Sequence, residues 1–262
     1  MKTIDLNYKK QGTGEPIIIL HGLFGQLDNW QSIAKVLADE FEVVSVDLRN
    51  HGKSPHSKDF SYPLMAADVK KLVEKLGFKK IILIGHSLGG KVALQFLNDY
   101  PELLNKVFVL DIAPRAYKGG HEEIFKAMFS LNVTEITKRQ EADEQLKVFI
   151  PDLVVRQFIV KNLDRNEENT FKWKFNLDVL YKNYNEINKE IKFTSSRIRN
   201  FEHLVFIKGS LSNYINEQDI FDIHNLFNKV EIIEVPGAGH WVHANKPEEV
   251  IKIIRENRRE YL

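Results

Sequence analysis

Six short runs of apolar, largely β-branched residues recur along the chain: Ile17–Leu20, Glu42–Asp47, Ile81–Gly85, Val107–Asp111, Leu204–Gly209 and Val230–Val235. Each is almost continuous in its hydrophobicity rather than alternating. A strand reads this way when both of its faces are buried, as in a parallel sheet covered by helices. Helical patterns fill the gaps. Asp28-Asn29-Trp30-Gln31 sets an N-cap residue type three positions before a glutamine, ahead of Ile33, Val36 and Leu37 at helical spacing. Leu64–Leu76 repeats apolar residues every three or four positions and stops at Gly77, and Leu88–Leu97 is a third helix. Strand and helix alternating in this manner dictate a doubly wound α/β fold, mostly parallel, with helices on both faces. Near the start, Thr3–Lys9 alternates loosely and runs into Gln11-Gly12-Thr13-Gly14, which predicts a hairpin into the Ile17 strand.

The alternation stops after Pro114. From Arg115 to Asn200 no strand-like run occurs, and the spacing predicts helices over Glu122–Leu131, Ile136–Phe149, Leu153–Leu163 and Phe175–Glu190. The expectation is a core of residues 1–113 and 201–262 interrupted by an all-helical cap, residues 114–200. The insertion is rich in aromatics, Phe125, Phe158, Phe171 and Trp173 among them. Most are expected in its own core, and a minority in an apolar cleft where it meets the sheet.

Composition narrows the partners. Lys and Arg number 37 against 36 Asp and Glu, a net charge of +1, so no global field favours nucleic acid or an anionic membrane. There are no cysteines, which removes disulfides and thiolate metal sites. No apolar run is long enough for a membrane span, and MKTIDLNYKKQG lacks the apolar region of a signal peptide. A cytoplasmic monomer acting on a small molecule, with neither cofactor nor metal, is the expectation.

The chemistry centres on Ile84-Gly85-His86-Ser87-Leu88-Gly89-Gly90. Gly-x-Ser-x-Gly alone is weak, but here a strand runs directly into it and a helix follows at once. A strand turning sharply into a helix pushes the turn residue outward, and positions two residues either side must be small. Gly85 and Gly89 meet that need, and the new helix N-terminus offers the Leu88 N–H to a developing oxyanion. A plain phosphate-binding turn is disfavoured, because Lys91 does not stand in the Walker position.

With these residues the chain resembles an α/β-hydrolase over its whole length. His21-Gly22-Leu23-Phe24-Gly25 is similar to that family's oxyanion loop, which implies Leu23 N–H as the second donor. Asp47-Leu48-Arg49-Asn50-His51-Gly52-Lys53-Ser54 resembles its D-x-R-G-x-G-x-S signature, with Asn50-His51 in place of the first Gly and its neighbour.

A serine hydroxyl needs a general base, and histidine suits neutral pH. The resemblance implies the chain order serine, acid, histidine. His240, in the Gly-rich loop after the last strand, is the expected base. His243 is expected to be structural or to line the rim, His21 and His86 to pack within their loops, and His51, His56, His121, His203 and His224 to be surface or loop residues. The family's usual acid position follows the first strand after the cap, but Ser212 stands there. Asp111, at the tip of the preceding strand, faces the same sheet edge and is the expected acid, with Glu217 and Asp219 as alternatives.

The blocks Val-Leu-Asp-Ile-Ala-Pro, Gly-Ala-Gly-His-Trp-Val-His-Ala-Asn-Lys-Pro and Asp-Leu-Arg-Asn-His-Gly are similar to those of YbfF-type bacterial esterases. That resemblance implies hydrolysis of small or short-to-medium acyl esters, and of some acyl thioesters, by Ser87, Asp111 and His240. Other readings of the same fold are a C–C hydrolase or a menaquinone-pathway-type lyase, with Lys161, Arg165, Lys172 and Lys174 supplying cap cations, or a ligand receptor that keeps the triad. Dehalogenase and epoxide hydrolase chemistry would need an aspartate in place of Ser87.

Overall fold

A computed structural model describes residues 2–167, 169–194 and 196–257. In chain order the core opens with β1 (Tyr8–Gln11), β2 (Glu15–Leu20), α1 (Gln31–Leu37), β3 (Phe41–Val46), α2 (Tyr62–Leu76), β4 (Ile81–His86), α3 (Leu88–Asp99) and β5 (Leu104–Leu110). The insertion carries α4 (Glu122–Ser130), α5 (Arg139–Leu146), α6 (Leu153–Val160), β6 (Leu163–Arg165), β7 (Phe171–Trp173), α7 (Leu177–Lys182) and α8 (Tyr184–Ile187). The core resumes with β8 (Leu204–Gly209), α9 (Glu217–Leu226), β9 (Val230–Val235), α10 (Val242–Asn245) and α11 (Pro247–Glu256).

All six apolar runs are strands of one sheet, in the order β1-β3-β2-β4-β5-β8-β9, parallel except for β1. Alternate side chains of each strand go to opposite cores, as the strand period of two requires. Ile18, Leu20, Leu83 and Val109 pack with α2 and α3 on one face. Ile17, Ile19, Ile84 and Leu110 pack with α1 and α11 on the other. Both layers are therefore apolar, which is why these runs show no alternation in the sequence.

Three expectations need correction. The N-terminal strand is not hairpinned to β2: β1 pairs antiparallel with β3, Tyr8 opposite Val46 and Gln11 opposite Val43. The turn between β1 and β2 wraps the start of β3 instead. A Cβ on Gly12 would lie 2.3 Å from the Phe41 carbonyl oxygen, and the φ of 76° there suits only glycine readily. Second, Asp28 does not cap α1. A 3₁₀ turn over Leu27–Trp30 leads into that helix, and the Gln26 N–H donates to Asn29 Oδ1 at 2.7 Å.

Third, the insertion is not all helical. β6 and β7 form an antiparallel pair, Leu163 opposite Trp173, closed by a turn in which the Thr170 N–H donates to Asn166 Oδ1 at 2.9 Å. Three residues per strand are too few for a readable period. Within the same region Asn183 breaks the expected Phe175–Glu190 helix into α7 and α8.

Hydrogen bonds seat these elements over the loops at the strand C-termini. Asn162 Nδ2 donates to the Phe24 carbonyl at 2.8 Å, and the Asn176 N–H to the Asn50 carbonyl at 2.9 Å. The 47–54 loop is braced from beneath by Arg49, whose buried guanidinium meets Asp68 at 2.6 Å (Nε–Oδ2) and 2.9 Å (Nη2–Oδ1). No helix among the described residues is long and apolar enough to cross a membrane.

Candidate active site

Ser87 sits between the end of β4 and the start of α3, at φ 52° and ψ −115°. A non-glycine residue at positive φ is strained, and such strain survives only where packing over-determines it. Here a Cβ on Gly85 would lie 2.2 Å from the Gly89 carbonyl oxygen, and one on Gly89 2.6 Å from those of Leu20 and His21. Strand and helix touch at bare backbone, so the turn can be this tight, and Ser87 N–H is fixed to the Leu110 carbonyl at 3.0 Å.

Asp111 follows β5, also at positive φ (50°), with its N–H on the Ile207 carbonyl at 2.8 Å. Its side chain is 0% exposed, so every lone pair needs a donor. Gly209 N–H donates to Oδ1 at 2.9 Å; Ser212 Oγ–H and His240 Nδ1–H both donate to Oδ2, the latter at 2.8 Å. On the far side of the same imidazole, His240 Nε2 is 3.0 Å from Ser87 Oγ. A carboxylate can only accept, so Nδ1 carries the ring proton and Nε2 is left to accept from the serine. The structure thus brings Ser87, Asp111 and His240 into one line from three strand ends. Glu217 is exposed at the start of α9, and Asp219 is buried against Arg115 (2.6 Å), so neither meets His240. Ser212 turns out to hold the carboxylate rather than replace it.

Several partners were invisible in the sequence. Tyr214 stacks on the His240 ring, centroids 3.7 Å apart and 16° from parallel. His86 Nε2 donates to the His240 carbonyl at 2.8 Å, anchoring the loop by its backbone. His51, expected at the surface or in a loop, lies in the 47–54 loop but not at the surface. It is fully buried, accepts from the Phe24 N–H through Nε2 at 3.3 Å, and donates through Nδ1 to the Arg49 carbonyl at 2.9 Å. His21 does likewise, donating to the Gly22 carbonyl at 2.8 Å and accepting from Leu48 N–H at 3.0 Å. Both rings therefore shape the loop that carries Leu23. His121 lies in a loop, as expected, where it lines the chamber beside Ser87 and pairs its Nδ1 with the Tyr184 hydroxyl at 2.9 Å.

Burial pushes these imidazoles down, to about 4 for His21 and about 3 for His51 and His243. All three are held neutral, while an unfolded histidine titrates near 6.5. Below that value the unfolded chain takes up protons that the fold refuses, so stability present above about pH 6.5 is lost as pH falls toward 4. The melting temperature at pH 5 is expected to lie more than about 5 °C below that at pH 7; equal midpoints in calorimetry would show that these rings do not resist protonation.

Beside Ser87 lies a chamber of about 240 Å³, walled by Leu23, Phe24, Ile124, Val155, Phe158 and Trp241 among others. Its described lining includes no lysine or arginine. Of the four cap cations considered, Lys172 and Lys174 line a separate polar cleft and Arg165 binds Asn169 and the Thr137 carbonyl. Phe158 is the insertion aromatic that reaches the chamber, in contact with Trp241 at 5.6 Å between centroids. Phe125 and Phe171 are buried in the insertion's packing, as expected, whereas Phe129 and Tyr181 are exposed.

The fold and the sequence both have close counterparts. A Haemophilus influenzae protein with an esterase/lipase name is 39% identical over 256 residues, covering 95% of this chain and 87% of that one. Esterase YbfF of Escherichia coli is 34% identical, covering 94% of each chain. The solved structure of a marine microorganism esterase superposes with a TM-score of 0.94 at 38% identity, covering 98% of this chain and 100% of the other. The sequence profile of the alpha/beta hydrolase fold matches residues 15–247, and with this strand order and a serine at the β4–α3 turn the chain belongs to the α/β-hydrolase fold family.

Proposed function

We propose that this carboxylic ester hydrolase is a serine esterase that cleaves short-to-medium acyl esters of small molecules, and acyl thioesters, through an acyl-enzyme. One observation carries the reading: the unbroken line Asp111 Oδ2–His240 Nδ1, His240 Nε2–Ser87 Oγ, opening on an apolar chamber. His240 Nε2 takes the Ser87 proton as Oγ attacks the ester carbonyl. Asp111 keeps the imidazole in the productive tautomer and stabilises the imidazolium. The backbone N–H groups of Leu23 and Leu88 receive the oxyanion, each worth on the order of 10²-fold or more in rate. His240 then returns its proton to the leaving alcohol, and water attacks the acyl-enzyme by the same route. No step calls on a metal or cofactor.

In this reading residues 114–200 serve as a cap on the core of residues 1–113 and 201–262, and Ile124, Val155 and Phe158 from that cap meet the acyl chain. The names of the relatives support ester substrates, and the chamber's described lining, which holds no lysine or arginine, supports an uncharged acyl group. We place the enzyme in the cytoplasm. An ester series from p-nitrophenyl acetate to palmitate, with matching acyl-CoA thioesters, tests the reading. kcat/KM is expected to peak at or below about eight carbons and to fall at least about tenfold by sixteen, as an apolar pocket of fixed depth requires. A profile still rising at sixteen carbons would remove the short-chain assignment.

A further inference from the structure

Lys91 lies one turn beyond Ser87 on α3 and is only 1% exposed. An ammonium is rarely enclosed unless its donors are satisfied. Here Nζ donates to the carbonyl of Arg115 at 2.9 Å and to that of Lys189, with the Asn188 carbonyl at 3.5 Å. It also stands over the rings of Tyr117 and Tyr62, 4.9 and 5.8 Å from their centroids.

These carbonyls belong to the two segments by which the chain leaves and regains the core. Arg115 follows β5, and Asn188 and Lys189 follow α8. The segments are also bound to each other, Tyr117 N–H to the Asn188 carbonyl at 2.8 Å and Ile191 N–H to the Pro114 carbonyl at 2.7 Å. From this junction a path leads to the reacting groups. The Tyr117 hydroxyl donates to the Tyr214 carbonyl at 2.7 Å, and the Tyr214 ring is the one stacked on His240. Lys91, Tyr117, Tyr214 and Ser87 all line one small cavity of about 30 Å³.

We propose that Lys91 is a positioning residue: its ammonium fastens both crossing segments to the helix headed by Ser87 and, through Tyr117 and Tyr214, holds the surface against which His240 is stacked. This rests on the serine-esterase reading of His240 and Ser87.

The clamp has a built-in dependence on pH. Burial pushes the Lys91 ammonium down to about 7; Arg115 acts in the same direction and Glu190 against it. Arg115 is itself paired with Asp219. Burial holds the Tyr62 and Tyr117 hydroxyls far above their usual range, raises Tyr214 to about 12 and keeps His121 down at about 4. None of those four changes charge between about pH 6 and 9, whereas Lys91 does. The neutral amine keeps two N–H donors for three carbonyls and loses its attraction to the rings. An unfolded lysine titrates near 10.5. Between about 7 and 10.5 the unfolded chain holds the extra proton, so this group stabilises the fold as pH rises while the clamp loosens. Alkaline loss of turnover without a falling melting temperature is the signature, and simple unfolding would give the opposite.

The test measures kcat, KM and melting temperature from pH 6 to 10 on a soluble p-nitrophenyl ester for the wild type, Lys91→Met and Lys91→Arg. Amide hydrogen exchange of Tyr117 and Ile191 is followed at one pH. In the wild type kcat is expected to fall about threefold along an alkaline limb with KM little changed. Lys91→Arg, whose charge does not titrate there, removes the limb. Lys91→Met gives a flat kcat about tenfold lower and exchange of both amides about tenfold faster. The proposal is overturned if Lys91→Met matches the wild type in exchange and turnover, or if Lys91→Arg keeps the limb at the wild-type midpoint. Should Lys91→Met not fold, the arginine variant decides. Should no ester be turned over, the esterase reading fails, and the two amides still decide the clamp.

Discussion

Ser87→Ala is expected to lower kcat for any ester substrate by about 10⁴-fold or more and to abolish labelling by a fluorophosphonate, with the melting temperature little changed. The effect is large because the deleted atom is the nucleophile of the proposed reaction. Without Oγ no acyl-enzyme can form, and the only remaining nucleophile is a water that must attack the ester directly. Stability is spared because the Ser87 N–H to the Leu110 carbonyl, the Gly85–Gly89 approach and the start of α3 are all backbone features. A variant retaining more than a tenth of wild-type turnover, or a wild-type enzyme whose label maps to another serine, would mean that the reaction does not pass through Ser87.

Asp111→Asn is expected to cost nearly as much, on the order of 10⁴-fold in kcat, through a change of tautomer rather than of shape. Gly209 N–H donates to Oδ1 and so selects the carbonyl oxygen of an asparagine for that position. The amide nitrogen is then turned toward His240 Nδ1, which must accept. Its proton moves to Nε2, 3.0 Å from Ser87 Oγ, and the base is lost. The Ser212 hydroxyl would also lose its acceptor. Glu217→Gln, at an exposed site, serves as the comparison and is expected to leave kcat within about twofold. Collapse of turnover on the Glu217 change alone would reassign the acid.

The two variants mark how far the sequence could be read. The Gly-x-Ser-x-Gly turn was legible because its demand is local: a strand, two small residues and a helix, all within a dozen positions. His240 was legible for a similar reason, since a Gly-rich loop after the last strand ends at the same sheet edge. Asp111 was found by elimination and by its place at a strand tip. One of its donors, the Ser212 hydroxyl 101 residues away, shows in the sequence only as the absence of an aspartate. The insertion was less legible. Its strands have three residues each, and Asn183 gives no strong break signal, so the period of the surrounding helices concealed both.

The histidines show both the reach and the limit. His21 and His86 pack within their loops and His243 lines the chamber, as expected, whereas the burial of His51 had no local signal, since the residue type favours neither core nor surface. What buries them is a partner on each ring or a stacked neighbour, supplied by residues distant in the chain, such as Phe24 for His51 and Trp30 for His243. Lys91 is the same case, since nothing local distinguishes an enclosed lysine from one on a solvated helix face.

The sequence by itself determined the doubly wound core and the tight strand–serine–helix turn, and pointed to Ser87, Asp111 and His240, because these follow from hydrophobic period, small-residue spacing and the chemistry each side chain can perform. Tertiary structure alone decided that β1 pairs with β3, that Ser212 holds Asp111, that His51 is buried against the loop carrying Leu23 and that Lys91 ties the crossing segments to the Ser87 helix. Each of those depends on which polar groups meet across long stretches of chain. A buried polar group is stable only with its partner in place, and that pairing is a property of the packed molecule rather than of any window of sequence.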